Sequence, residues 1–555
     1  MKRSILLLVF LMLFITIPLT MVSGQDDETI VVRGMGNVAT FNHYLSTSGP
    51  EFQNYSLIWP SPVGIDPVTG AAVPGLTSWE VSDDGLTYTF HILEDANWSD
   101  GVPITSADMK FVVDAIKSDI ATTREAAVAL IESVNIIDDK TYEIVLSEVD
   151  CAVMSNLGNL SFLPSHLFAA DFSDFETNEL NTNPVGISGG PYILDEFRSD
   201  EFVAFSANPD WWGGEVKTPH FITRIIGEDA VAVQSMQAGE IDYTYFHGDL
   251  FEQITNTDDL QWEILPRNSV NFVALNWANP NNPQAAYDEA GNLVEQDPHP
   301  LFSDVRVRKA VAMGYNKTDI LDTLGGPAGG TPLVGQVVPI NEWAYNSDIT
   351  PYPYDPEAAI ALLEEAGWVD SDGDGIRDKD GVPLAFTIRY SDILLYFETT
   401  AIVMQDQLNQ IGFDVTLEKL EWTNYVDEVL FGQRFDATPM SNSGGTQPPD
   451  PNEFMNMLQS TADAPGSGLN MPSYINPEVD ELIRQAQTVP GCALEDRGEI
   501  YRELQRITHE DVAYDWTFVP NIWQTANKRI GGFDPNAWWV FYAYTASVPE
   551  WGIEG

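Results

Sequence analysis

Basic residues are scarce in this chain: 26 Lys and Arg stand against 83 Asp and Glu, a formal charge of −57. A nucleic-acid partner needs a basic face that displaces counterions from phosphates. No Lys/Arg cluster exists here, so that partner is excluded. Anionic membrane surfaces are disfavoured on the same ground, whereas a neutral or cationic solute meets no such barrier. The acidity itself speaks to solvation in salt or at low pH, not to fold. Cysteine is almost absent. Cys151 and Cys492 are the only two; in an exported chain they either pair or stay apart, and the sequence supplies no geometry that decides. The seven histidines are scattered, and no Cys/His spacing resembles a zinc site. Also missing are a Gly-x-Ser-x-Gly elbow, a His-Glu-x-x-His motif and a phosphate-cradling glycine loop with its lysine. The chain therefore reads as a non-enzyme. Among 83 acids some glycosidase-like carboxylate pair always exists, but nothing selects one, so a secreted hydrolase is only the alternative.

Long apolar runs are confined to the start. Lys2 and Arg3 precede the apolar stretch Ile5 to Thr20, and Val22-Ser23-Gly24 leads into acidic Gln25-Asp26-Asp27-Glu28. This reads as an export signal cleaved after Gly24, with a retained membrane anchor as the other reading of a stretch near the spanning length. Losing Lys2 and Arg3 takes the charge from −57 to −59. No cysteine follows the stretch, which excludes the usual bacterial lipid anchor. A chain of 555 residues exceeds one compact core and implies two or three lobes.

Leu86, Tyr88, Phe90 and Ile92 alternate with polar residues after the Asp84-Gly85 turn, the period of a half-buried strand. Val134 to Ile137, Asp138-Asp139-Lys140, and then Tyr142, Ile144 and Leu146 read as a hairpin. Later the rhythm turns helical. Asp355-Pro356 and Asn476-Pro477 each place a cap and a first-turn proline before an apolar face. Asp304 caps a third helix, and Ala401, Met404, Leu408 and Ile411 mark a fourth. After Gly412, Phe413, Val415 and Leu417 return to strand period. Helix followed by strand, repeated, predicts an α/β lobe behind a β-rich N-terminal third.

Many spaced segments then carry a resemblance. They are Trp79-Glu-Val-Ser-Asp-Asp-Gly-Leu-Thr-Tyr-Thr-Phe-His-Ile92, continuing to the run from Trp98 to Met109; Pro184-Val-Gly-Ile-Ser-Gly-Gly-Pro-Tyr192; Asn208-Pro-Asp-Trp-Trp-Gly-Gly214; Ala238 to Asp242; Asp304 to Ala310; Tyr354-Asp-Pro-Glu-Ala358; Ala366-Gly-Trp368; and Tyr474 to Asp480. In this order they resemble the extracellular solute-binding proteins of family 5, the oligopeptide, dipeptide and nickel binders of ABC importers, from about residue 30 to 535. The resemblance implies an α/β, two-lobed periplasmic-binding-protein fold of type II with an extra β-rich subdomain and two crossing hinge strands. Lobe I would span 25–268, with the subdomain at about 50–170. Lobe II would span 269–515, and 516–555 would return to lobe I. Asn271 to Asn276 and Asp515 to Pro520 look like the crossings. The implied function is to close two lobes over a solute and deliver it to the importer's permease subunits and their ATPases, one ligand per monomer. Feeding a membrane sensor is the other outlet.

The resemblance also bears on candidate ligand residues. Peptide binders of the family carry an aspartate shortly before an acidic residue and proline, where it neutralises the ligand's α-amino group. Here that position is Gln447, three before Asp450-Pro451. Ser441, Asn442 and Gln447 are neutral hydrogen-bonding groups, and Asp450 is a substitute anchor. Such a site suits oligosaccharides as well as oligopeptides. Arg389 is a candidate for a ligand carboxylate, and Trp422 and Tyr425 offer flat rings with polar edges. Trp211 and Trp212 read as packing. Asp370, Asp372, Asp374, Ile376 (through its carbonyl) and Asp378 have the spacing of a calcium loop, with Gly375 at the tight turn. Gly381 stands where an EF-hand has its bidentate Glu, so the segment reads either as a structural calcium site or as a polar turn. No cofactor is required.

Overall fold

The computed structural model describes residues 28–554 apart from 47, 67–70, 119, 159, 248–249, 251–252, 256, 446–448, 535–544 and 546. The leader and Gln447 lie outside the described residues.

Two large sheets organise the molecule. In the first the strand order is Leu260–Pro266, Phe518–Asn527, Tyr243–His247, Thr29–Gly34, His220–Ile225, Phe202–Ala207 and Tyr192–Arg198, with Gly330–Pro332 added beside Phe518–Asn527. In the second it is Asp414–Leu420, Ala385–Ser391, Ala437–Ser443, Ser269–Leu275 and Asp515–Trp516. The chain crosses from first to second sheet between Pro266 and Ser269, and back between Trp516 and Phe518. A third sheet, Thr77–Val81, Thr87–Ile92, Thr141–Leu146 and Ile131–Asp138, is antiparallel throughout.

Burial explains why the strands read differently. Ser269–Leu275 is buried at every position. Val273 and Leu275 join one core while Val270, Phe272 and Ala274 join the other, so no polar/apolar alternation marks this strand. Thr141–Leu146 alternates half-buried and buried residues because only one of its faces meets the core. That core is continuous with the one under the first sheet: Phe90 stacks on Tyr142 at 5.1 Å, and both belong with Tyr192 and Phe221 to one cluster. The subdomain is thus fused to lobe I.

The helices of lobe II begin where their caps dictate. The Asp355 carboxylate accepts from the Ala358 amide ahead of Pro356–Glu365, and Asp304 accepts from Arg306 ahead of Val305–Gly314. Leu395–Asn409 stops before Gly412, whose φ of +97° turns the chain into Asp414–Leu420. In lobe I the glycine-rich motif has a packing reason: a Cβ on Gly190 would sit 2.4 Å from the Leu57 carbonyl oxygen.

Candidate functional site

A cavity of about 1570 Å³ lies between the lobes. Lobe I supplies Trp79, Tyr88, the turn Ser82 to Gly85 and part of the segment Val149 to Ser155, together with Pro266 beside the first crossing. Lobe II supplies Pro339 to Trp343, Pro449, Asp450, residues of the Thr488 to Leu494 stretch, and Arg497. Trp79 and Trp343 therefore bring half-buried aromatic rings from opposite walls. The exposed acids Asp83, Asp84 and Glu342 stand on the same walls. Ser82 and the Leu86 amide hydrogen-bond the Asp84 carboxylate and hold its pKa below the usual carboxylate range.

Arg497 is the lone guanidinium among the cavity-lining residues, and it is already committed. Its NH1 and NH2 groups donate to the two Asp450 oxygens at 2.8 Å each, and its Nε donates to the Ala486 carbonyl at 3.0 Å. Both side chains are buried, 2% and 7% exposed. Burial alone would weaken the arginine's charge, but the adjacent Asp450 carboxylate overrides it and keeps Arg497 protonated. Asp450 also caps the tight helix Pro451–Met457, accepting from the Asn452 amide. The carboxylate expected as a substitute amine anchor thus lines the cavity while joining this turn to the helix Leu494–Asp511.

Ser441 and Asn442 lie at the carboxyl end of Ala437–Ser443, opposite Asn271 and Val270 of the strand Ser269–Leu275. Parallel α/β sheets hold ligands beyond such ends. The Ser441 side chain lies close to Tyr396, a ring near Arg267 at the crossing. The Asn442 carbonyl accepts from Ser269 Oγ at 3.1 Å. Asn271, 2% exposed, was read from the sequence as part of a crossing and not as a ligand residue, yet both its side-chain amide atoms lack a hydrogen-bond partner among the described residues. Such a group calls for water or ligand.

Three other candidates sit elsewhere. Arg389 Nε donates to Glu418 at 2.8 Å, and its NH1 group donates to Glu428 at 3.2 Å and to the Arg434 carbonyl at 2.7 Å. It lines a separate cavity of about 500 Å³ walled by lobe II alone, so it does not face the space between the lobes. Tyr425 is fully buried with its hydroxyl 2.8 Å from Thr438 Oγ1, and Trp422 stacks on it at 5.6 Å against the lobe II core. Tyr425 is thus a packing residue, and Trp422 is half-buried against it. Trp212 donates its indole N–H to the Gly189 carbonyl, a scaffold contact.

In the acidic loop, Asp370, Asp372 and Asp374 each offer a carboxylate oxygen within 4.8 Å of the others. Asp378 departs from the set: its Oδ2 accepts from the Ser371 amide and hydroxyl. Ile376 donates its amide to Asp374, which closes the turn.

Sequence missed Trp79 as a wall residue because it lies inside a scaffold-like motif, and missed Trp343 and Arg497 because nothing local distinguishes them from core residues. Cys151 and Cys492 form a disulfide, with Cα atoms 5.2 Å apart.

Known proteins share this architecture and sequence. The oligopeptide-binding protein AppA of Bacillus subtilis is 25% identical over 519 residues, 92% of this chain and 89% of the relative. Di/tripeptide-binding protein 1 of Pseudomonas aeruginosa is 25% identical over 505 residues, 86% of each chain. Among solved structures, AppA from Bacillus subtilis in complex with a nonapeptide superposes with a TM-score of 0.70 at 22% identity, covering 96% of this chain and all of the other. NikA from Brucella suis in complex with Fe(III)-EDTA superposes with a TM-score of 0.77 at 21% identity, covering 95% of this chain and all of the other. The sequence pattern of the bacterial extracellular solute-binding proteins, family 5 Middle, matches residues 72–466. With two lobes, an inter-lobe cavity and this match over most of its length, the chain belongs to the family 5 extracellular solute-binding proteins, which bind and do not catalyse.

Proposed function

We propose that the protein is the extracytoplasmic capture component of an ABC importer, closing its lobes over an oligopeptide and presenting it to the membrane permease. The observation that carries this reading is the cavity of about 1570 Å³ walled by both lobes, in a chain whose relatives are named for oligopeptides and di- or tripeptides. A cleft of this kind buries a ligand without a covalent step. Among the described residues the wall acids Asp83, Asp84 and Glu342 form no salt bridge, and the Arg497 charge is met by Asp450, which favours cationic or neutral peptides over acidic ones. The Asn271 amide, without a partner among the described residues, and the Ser441–Asn442 strand end supply hydrogen-bonding groups near the crossings. Neutral groups of this type also accommodate oligosaccharides, which is the second ligand class to test. The protein works as a monomer, exported by a leader cleaved after Gly24.

The test is a thermal-shift screen of residues 25–555 against hexapeptide libraries sorted by charge and against maltooligosaccharides, with mass analysis of the ligand afterwards. A ligand at a hundred times its Kd adds about 2.7 kcal/mol. Lysine-rich peptides are expected to raise Tm and to be recovered intact. A shift with maltooligosaccharides alone overturns the peptide reading, and cleavage of the peptides overturns the binding role. The calcium reading of Asp370, Asp372 and Asp374 predicts a lower Tm in EDTA, an effect absent from Asp372→Ala.

A further inference from the structure

The lobes are joined by two peptide crossings and also by a covalent bond far from them in sequence. Cys151 follows the subdomain strand Thr141–Leu146 of lobe I, and Cys492 lies in the loop between Pro477–Thr488 and Leu494–Asp511 of lobe II. Their disulfide spans 341 positions. The chain holds no third cysteine, so no alternative pairing exists within it. The surroundings are docked as well: the Cys151 amide donates to the Gln487 carbonyl at 2.7 Å, across the lobe boundary. Asp150, next in sequence, is buried, and burial raises its pKa, with the nearby Asp450 charge adding to the shift. Both cysteines wall the inter-lobe cavity that Pro266 walls beside the first crossing. The bond and the first crossing therefore border one cleft.

A disulfide allows its Cα atoms no more than about 7 Å of separation, whereas swinging two lobes apart about their crossings moves the far rim by much more. We propose that the Cys151–Cys492 bond is a strap that limits opening of the cleft. The lobes then turn only about an axis through strap and crossings, and solute enters along the remaining flank. Reduction of the strap by a dithiol transfers two electrons and two protons to the bond, yields two thiols and leaves the dithiol as its own cyclic disulfide; the lobes are then free to swing. The inference rests on the proposed hinge-closing role.

Thiol titration of the denatured protein comes first: no free thiol is expected, and two would overturn the strap. Small-angle scattering then compares ligand-free wild type, wild type reduced with dithiothreitol to a count of two thiols, and the C151S/C492S variant. The strap predicts a radius of gyration larger by about 1 Å or more in the last two. Superposable curves for all three overturn it. If the serine pair does not fold, C151A/C492V and the reduced wild type carry the comparison. Failure of the strap is separable from failure of the function. Hexapeptides that raise Tm while the curves coincide remove only the strap, and curves that differ while no hexapeptide binds remove only the peptide reading.

Discussion

At the scale of single residues, charge is dear in the interior of this acidic protein, and the buried ion pair shows how it is kept. Asp450 and Arg497 satisfy each other bidentately inside lobe II. Asp450→Ala strands the guanidinium, so urea denaturation of the ligand-free protein should show a loss of about 3–5 kcal/mol. An Asp450 whose role was to receive ligand would leave ligand-free stability near wild type. Asp463 is a different case, a buried carboxylate held among the described residues by neutral donors: Gln433 Nε2 at 2.9 Å, Ser473 Oγ at 3.1 Å and Gln296 Nε2 at 3.3 Å. Burial pushes its pKa up to about 6, and the donors pull back only part of the way. The folded state then binds a proton more tightly than the unfolded chain. The stability this confers is complete below the unfolded pKa near 3.8 and is lost as pH rises through 6. Acidifying from pH 7 to 4.5 should therefore stabilise wild type by about 2 kcal/mol more than Asp463→Asn, read from urea midpoints at the two pH values. Neither residue's state was legible in sequence. Asp450 lies 47 positions from Arg497, and Asp463 looks like any other of 83 acids until its neighbours surround it.

At the scale of elements, much was legible, because capping and periodicity are local. Asn476 accepts from the Glu478 and Val479 amides and starts Pro477–Thr488 where the Asn-Pro pair places it. Asn476→Ala should cost about 1–2 kcal/mol, measurable by thermal melts, and Asn476→Asp should recover most of it. The half-buried strands at Thr87–Ile92 and Thr141–Leu146 were readable for the same reason, since one solvated face preserves the alternation. Elements whose cause is tertiary were not. Gly330–Pro332 becomes a strand only because Phe518–Asn527 lies beside it. The helical stretch begun at Trp422 widens after Tyr425 into a looser turn over Val426–Leu430, where Val429 joins the lobe II core.

At the scale of the whole molecule, the two lobes share few covalent links, and each link matters to stability as well as motion. The disulfide closes a loop of 341 positions, so C151S/C492S should lose about 2–4 kcal/mol against urea, with the unfolded chain gaining the freedom the bond removed. The crossings are fastened by polar contacts. Asp515, at the return crossing, is 1% exposed and is held by Lys317 Nζ and the Tyr315 hydroxyl, each at 2.6 Å. The strand Ser269–Leu275, entered directly from the first crossing, is buried throughout.

By itself the sequence determined the family, the α/β character, the helix starts and the half-buried strands, because these depend on composition, short spacings and ordered motifs. The tertiary structure alone decided which residues face the space between the lobes. It turned Tyr425 into core and Arg389 outward into its own salt bridges, tied up Asp450, and brought Trp79 to a wall opposite Trp343. It also joined Cys151 to Cys492. The physical reason is common to all of these: whether a polar or aromatic side chain meets solute, partner or core is fixed by neighbours tens to hundreds of positions away, which no local pattern encodes.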